Sequence, residues 1–198
     1  MTAPRLPAAP STRRGQGRRR GMIHPTCPRL ELSGRAPTPP PTPTEHRMTD
    51  RLKVDDRFTI EMTPPTADRV GELAREGFRS LVNLRAPGEK DEVLSPDKEG
   101  EIARSNGLAY LSIPVSPQDM MNEDNAERFD REVARLPGPV AVHCASGRRA
   151  GLLTFLHVAR GKGQSGDEAA AKAEGTGFQF GTPETKANFI QSVDARKT

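Results

Sequence analysis

From Arg57 onward the apolar and polar positions fall into a β/α rhythm. Phe58-Thr59-Ile60 alternates, the mark of a short strand. Thr66 stands at a helix-cap position; Val70, Leu73 and Ala74 then share one helical face, and Gly77 follows where helices often end. Ser80 to Leu84 predicts a second strand. A polar stretch from Arg85 to Ser95 carries turn signals at Pro87-Gly88. Asp97 to Ser105 predicts a helix closed by Asn106-Gly107, and Leu108 to Ile113 a third strand ended by Pro114. A loop leads to a helix from Glu123 to Arg135, with Ala126, Phe129, Val133 and Leu136 at helical spacing. Pro137-Gly138-Pro139 breaks the chain, and Val140-Ala141-Val142 is a fourth strand with His143-Cys144 at its end. After the loop 144–149, Leu152, Leu153, Phe155, Leu156 and Val158 predict a buried helix stopping near Gly161. Two more helices fit 166–174 and 183–194. Strands alternating with helices imply right-handed crossovers. The expected fold is α/β, with a mostly parallel central sheet of four to five strands flanked by helices.

Composition changes the picture at the N-terminus. The 198 residues carry a net charge of +4, but residues 1–47 hold nine Arg, no Lys and only Glu31 and Glu45. That segment is therefore +7, and the remainder is −3. Ala36 to Thr44 is polyproline-like, and Arg18-Arg19-Arg20 is a charge cluster. Such a composition cannot bury enough apolar surface to offset the entropy of ordering. Residues 1–47 are expected to be disordered, and 48–198 to form the folded domain. Three readings of the tail compete: an arm that touches nucleic acid or acidic surfaces, an inert tail, or a segment upstream of a true start at Met48. Arginines are present without a following apolar run, so it does not read as a secretory signal.

Two cysteines among 198 residues cannot make a disulfide framework, which points to a reducing, cytoplasmic setting. Two Cys and four His leave little for a structural zinc site. No uninterrupted apolar run approaches the roughly 18 residues of a membrane span. No metal, cofactor or membrane is expected as a partner, and nucleic acid only through the basic tail.

The informative segment is Val142 to Gly151. A buried strand delivers Cys144 to the mouth of a short loop, and a helix starts directly after it. This is the crevice at the carboxyl ends of parallel strands where α/β proteins bind ligands. The loop amides and the helix N-terminus can form an anion nest. Gly147 permits a backbone that a side chain would obstruct, and Arg149 can reach an oxyanion with a two-pronged guanidinium. Cysteine pKa values fall from ~8.5 to roughly 3.5–7.5 in such fields, which favours a nucleophile. The plainer alternative is a small buried residue at a strand end; the full pattern of strand, Cys, Ser-Gly, Arg and helix outweighs it.

His143-Cys144 through Arg149 resembles the phosphate loop of cysteine-dependent protein tyrosine and dual-specificity phosphatases. The chain is more similar still to a bacterial family of phosphatase-like domains sometimes fused to β-lactamase-like hydrolases. That resemblance runs over about residues 55–160. It rests on Gly77-Phe78, Asn83-Leu84-Arg85, Glu89, Gly107, Ile113-Pro114-Val115 and Cys144-Ala-Ser-Gly-Arg-Arg149. It implies a dual-specificity-phosphatase-like fold and two-step phosphomonoester hydrolysis on a phosphorylated protein or small molecule, without a metal. Cys144 would attack phosphorus. Arg149 and the amides of Ala145, Ser146, Gly147 and Arg148 would hold the oxygens. An acid in the loop after the third strand would protonate the leaving group; Asp119 is the candidate and Asp124 the fallback. A solvated loop carboxylate is the competing reading of Asp119.

The same resemblance implies that His143 orients and tunes Cys144, where a hydrogen-bonded core histidine is the alternative. Arg85 ends a strand at the same sheet edge as Cys144 and could meet substrate, though a structural pair with Glu89 is the favoured reading. Arg148 is expected as a surface charge if Arg149 points inward. Ser146 is expected to hydrogen-bond within the loop, His157 to pack and Cys27 to be inert. Two departures from ordinary phosphatases stand out. Four residues rather than five separate Cys144 from Arg149, a spacing the bacterial family shares with many rhodanese-type sulfurtransferases. Ala150 replaces the hydroxyl residue that helps the cysteine leave. A sulfurtransferase carrying a persulfide on Cys144 is therefore the alternative activity, and a non-catalytic phosphate-binding module the third reading.

Overall fold

The structure, a computed structural model, describes residues 50–197. The expectations for residues 1–47, the start at Met48 and Cys27 lie outside the described residues. Five strands form one sheet in the order β1-β2-β5-β3-β4: β1 (Arg51–Lys53), β2 (Phe58–Glu61), β3 (Ser80–Asn83), β4 (Ala109–Ser112) and β5 (Val140–His143). All neighbours are parallel except β1, which runs antiparallel to β2. Six helices are α1 (Ala67–Arg75), α2 (Pro96–Ser105), α3 (Glu123–Val133), α4 (Arg148–Lys162), α5 (Gly166–Gly175) and α6 (Pro183–Asp194), followed by a 3-10 turn at Ala195–Lys197.

The sequence pattern leaves out β1, and the reason is physical. Arg51-Leu52-Lys53 offers one apolar residue, too few for an alternation. Its pairing comes from the turn instead. The Asp55 side chain accepts hydrogen bonds from the backbone of Arg57 and Phe58, both at 3.0 Å, and folds the chain back on itself. The register then sets Arg51 opposite Glu61, and the two side chains pair at 3.0 Å.

Strand alternation divides the core. Leu81 and Ala141 face α1 and α2, where Val70, Leu73, Ala103 and Leu108 complete one cluster. Ile60, Val82, Val140 and Val142 face the other side, against Phe129 and Val133 of α3 and the apolar residues of α4. α4 is apolar nearly all round because α5 and α6 cover its outer side. A file of rings joins them: Phe155 to Phe178 at 5.4 Å between centroids, Phe178 to Phe180 at 5.1 Å, Phe180 to Phe189 at 5.1 Å. Each such pair adds about 0.5–1.5 kcal/mol beyond its buried area. Gly151 makes the approach possible, since a Cβ there would overlap the Phe178 ring. Helix ends fall close to the sequence reading. α4 runs past Gly161 and ends at Gly163, whose φ of 63° is a left-handed cap. Among the described residues no helix is long and apolar enough to cross a membrane.

Candidate active site

The in-register strands place Glu61, His143, Asn83 and Ser112 in one row at the carboxyl edge of the sheet. The chain leaves the central strand β5 at this row, so Cys144 emerges in the middle of the edge rather than at its flank. Cys144 is buried, at 1% exposure, and Ala145 and Ser146 immediately after it are exposed. Gly147 turns the chain into α4 with φ 72°, and a Cβ there would stand 2.5 Å from the Met62 sulfur. Only glycine suits both constraints. The first turn of α4 has no side-chain cap and no acidic residue; its first helical bond is Gly151 N–H to the Gly147 carbonyl at 2.7 Å. The N–H groups ahead of that bond are available to an anion.

Arg149 sits in this first turn at 4% exposure. Glu89 grips its guanidinium end-on: Nη1 and Nη2 donate to the two carboxylate oxygens at 2.6 Å each. The other Nη1 hydrogen is directed to the carbonyls of Val115 at 2.6 Å and Leu84 at 3.3 Å. Of the five N–H donors of arginine, Nε and the second Nη2 hydrogen remain without a protein oxygen among the described residues. They form the side-on fork of the guanidinium. The Glu89 hydrogen bond, against the opposing effect of burial, and then the Cys144 sulfur hold Arg149 above its ordinary pKa. Arg149 in turn holds the Glu89 carboxyl below its ordinary value. Glu89 Oε1 also accepts the Ala86 N–H at 2.8 Å, which ties the grip to the turn after β3.

The remaining predicted residues divide. His143 is buried on the α1/α2 face, with Nε2 2.9 Å from Glu99 Oε1, although the ring N–H does not aim squarely at that oxygen. Glu99 is buried as well; its Oε2 accepts from Asn83 Nδ2 at 2.5 Å and from the Tyr110 hydroxyl at 2.9 Å. Burial, and then the Glu99 charge, push the Tyr110 hydroxyl far above its ordinary range, so it acts as a neutral donor. Arg85 is 3% exposed and turned away from the pocket. It donates to the carbonyls of Lys90 at 2.9 Å, Asp91 at 3.3 Å and Glu89 at 3.4 Å, with Glu89 Oε2 3.5 Å from its Nε. The structural pairing is the geometry present here: Arg85 shapes the loop that carries Glu89. Ser146 makes no hydrogen bond of its side chain among the described residues, which corrects the expectation of a loop-internal bond; the side chain is exposed instead. His157 packs edge-on against Phe58 and Phe129 and lies 2.8 Å from Asp130.

An open pocket of about 330 Å³ lies over the loop, walled by Glu89, Lys90, Arg148, Arg149, Ala145 and Ser146, with Pro117 and Met120 on the far side. Asp119 is in the stretch that supplies those last two residues. Its backbone is fixed by a turn, N–H to Ser116 O at 3.1 Å, and by Asn125 donating to its carbonyl at 2.9 Å. Asp119 itself is exposed and does not line the pocket. Asp124 lies in the first turn of α3, behind the Asn122 cap, a helix-stabilising position. Among the described residues no three His, Cys, Asp or Glu side chains converge where they could hold a metal ion.

Residues 54–161 match the family described as beta-lactamase hydrolase-like protein, phosphatase-like domain. The chain belongs to that family. A beta-lactamase hydrolase-like protein of Xylella fastidiosa (strain Temecula1) is 36% identical over 130 residues, covering 66% of this chain and 30% of that protein. One of Agrobacterium fabrum is 33% identical over 105 residues, 53% of this chain and 24% of that protein. The chain thus spans less than a third of the length of these relatives. Among solved structures, a candidate phosphatase of Neisseria meningitidis Z2491 superposes with a TM-score of 0.60 at 20% identity, over 71% of this chain and 96% of that one. PTPMT1 does so with 0.55 at 16% identity, over 74% and 98%. The likeness to these two is one of fold. A phosphatase-like domain on a tyrosine-phosphatase-like fold is what the chain carries.

Two partners within the site escaped sequence reading. Glu89 pairs with Arg85 as the sequence suggests, but its carboxylate also grips Arg149, which the sequence does not indicate. Glu99 carries a signal of its own: Pro96, Glu99, Gly100 and Ala103 form the buried stripe of α2, and an acid in such a stripe needs a buried partner.

Proposed function

We propose that this domain hydrolyses phosphomonoesters through a phosphocysteine on Cys144. The observation that carries the reading is the state of Arg149: locked by Glu89 and two main-chain carbonyls, with no protein oxygen among the described residues on its side-on fork. A fork held in advance costs no reorganisation when charge develops on the transferring phosphoryl group. The family match and the uncapped first turn of α4 add support.

The substrate phosphoryl oxygens accept from that fork and from the amides of residues 145–149. The Cys144 sulfur attacks phosphorus, an S–P bond forms, and the P–O bond to the leaving group breaks. Asp119 gives its proton to the departing oxygen, which requires its loop to move over the pocket. In the second step a water oxygen attacks phosphorus, its proton passes to the Asp119 carboxylate, and the S–P bond breaks to release phosphate and the thiolate. Ala150 is fully buried and has no hydroxyl to assist the sulfur's departure. The second step is therefore the slow one, and phosphocysteine accumulates.

The test is intact mass after acid quench. The full chain is incubated separately with an aryl phosphate and with thiosulfate, beside Cys144→Ser. A gain of one phosphoryl group that disappears in Cys144→Ser is the expected result. A gain of one sulfur from thiosulfate, with nothing from the phosphate, would replace hydrolysis by sulfur transfer and remove Asp119 from the chemistry.

A further inference from the structure

Three cations wall the pocket, and they are not equivalent. Arg149 is buried, and its charge is matched by Glu89. Lys90 and Arg148 are exposed at the rim, and neither has an acidic partner among the described residues. They come from different segments, the loop after β3 and the start of α4. Both are anchored. The Lys90 carbonyl accepts from Arg85 at 2.9 Å, and the next residue, Asp91, holds a left-handed φ of 59°. The Arg148 guanidinium rests against Gly181, where a Cβ would stand 3.0 Å from Cζ. With Glu89 cancelling Arg149, the lining keeps two uncompensated positive charges around about 330 Å³. A scissile phosphoryl group on the loop amides and the Arg149 fork leaves both rim cations unused. That volume is at the small end of ligand pockets, ~300–1,000 Å³, so the complementary group belongs on a small molecule.

We infer that the pocket selects small phosphomonoesters that carry a second anionic group, a carboxylate or another phosphoryl, held by Lys90 and Arg148. This rests on the reading above in one respect only, that the scissile phosphoryl occupies the loop.

Non-hydrolysable probes separate the two ideas, because binding can be read without turnover. Calorimetry on the full wild-type chain at low salt would compare phenylphosphonate with its 3- and 4-carboxy derivatives. The carboxylated probes are expected to bind about tenfold tighter. Lys90→Ala and Arg148→Gln should each reduce that preference roughly three- to tenfold, and the double variant should abolish it. Equal affinity for the plain and carboxylated probes, or rim variants that weaken all probes alike, would overturn the inference and leave Lys90 and Arg148 as steering charges. Phosphotyrosine peptides with Asp or Asn beside the phosphoresidue form a second arm; an Asp preference there, with none among the small probes, would also overturn it. If neither the probes nor inorganic phosphate bind, the phosphate-loop reading itself fails, and the inference with it. Both substituted side chains are exposed, so loss of the fold does not confound the comparison.

Discussion

Among the described residues, five of the six α-helices begin alike, and one does not. α1, α2, α3, α5 and α6 start on Thr66, Ser95, Asn122, Ser165 and Thr182, each accepting a backbone N–H, and each carries acid in its first turn. Those termini are closed: side chains satisfy orphan donors, and carboxylates oppose the dipole. α4 starts on Gly147 with no capping side chain and places Arg148 and Arg149 in its first turn. Stability is thereby left unclaimed at one helix start of six, and that start follows the central strand. The difference teaches which helix starts close their own backbone donors and which one leaves them open.

The comparison can be broken from the α4 side first. Arg149→Lys keeps the charge but loses both the end-on grip of Glu89 and the side-on fork. Turnover of an aryl phosphate should fall about 10³-fold in kcat/KM, and steady-state kinetics would read it. A loss below tenfold would mean that the fork is not what holds the phosphoryl group.

Glu89→Gln is milder, because the amide still offers one acceptor to Arg149. KM for an aryl phosphate should rise on the order of tenfold, with a smaller change in kcat. The same variant has a pH signature. Arg149 holds the Glu89 carboxyl below its ordinary 4.5 in the folded protein. Between that lowered value and 4.5 the unfolded chain binds more protons than the fold, so stability there rises with pH. The contribution is complete above about 4.5 and is lost as pH falls through the lowered value. Urea denaturation at several pH values should show less acid destabilisation in Glu89→Gln than in the wild type.

The smallest effect sharpens the other half. Ser165→Ala removes one side of the capping box that Ser165 and Glu168 form at α5. Stability should fall by about 1 kcal/mol, measured by denaturant midpoint, with kcat and KM unmoved. An activity change of several-fold would mean that α5 is coupled to the loop more tightly than its position indicates.

Much of this was legible beforehand, for identifiable reasons. β4 and β5 are bounded by Gly107, Pro114 and Pro139, and five helix starts carry Ser, Thr or Asn, so at those places local chemistry and tertiary outcome agree. The Cys144–Arg149 loop was legible because a buried strand, a glycine and an arginine compress into one short run. β1 was not, since its pairing depends on the Asp55 turn and on Glu61 across the sheet. The grip of Glu89 on Arg149 was not legible either. It joins loops that follow two neighbouring strands, and only the strand order β5-β3 brings them together. His143 and Glu99 illustrate a middle case: the acid in the α2 stripe announces a buried partner, but strand alternation decides which one.

The segment that matches the family description ends at residue 161, yet the ring file that backs α4 runs on through Phe178 and Phe180 to Phe189. The helix that aims Arg149 is thus held from behind in part by residues after that matched segment. A transplant of residues 54–161 into another protein would carry every group of the loop and still arrive with its keystone missing. Such a graft would need a new aromatic wedge over Gly151 before the loop could be expected to hold its shape.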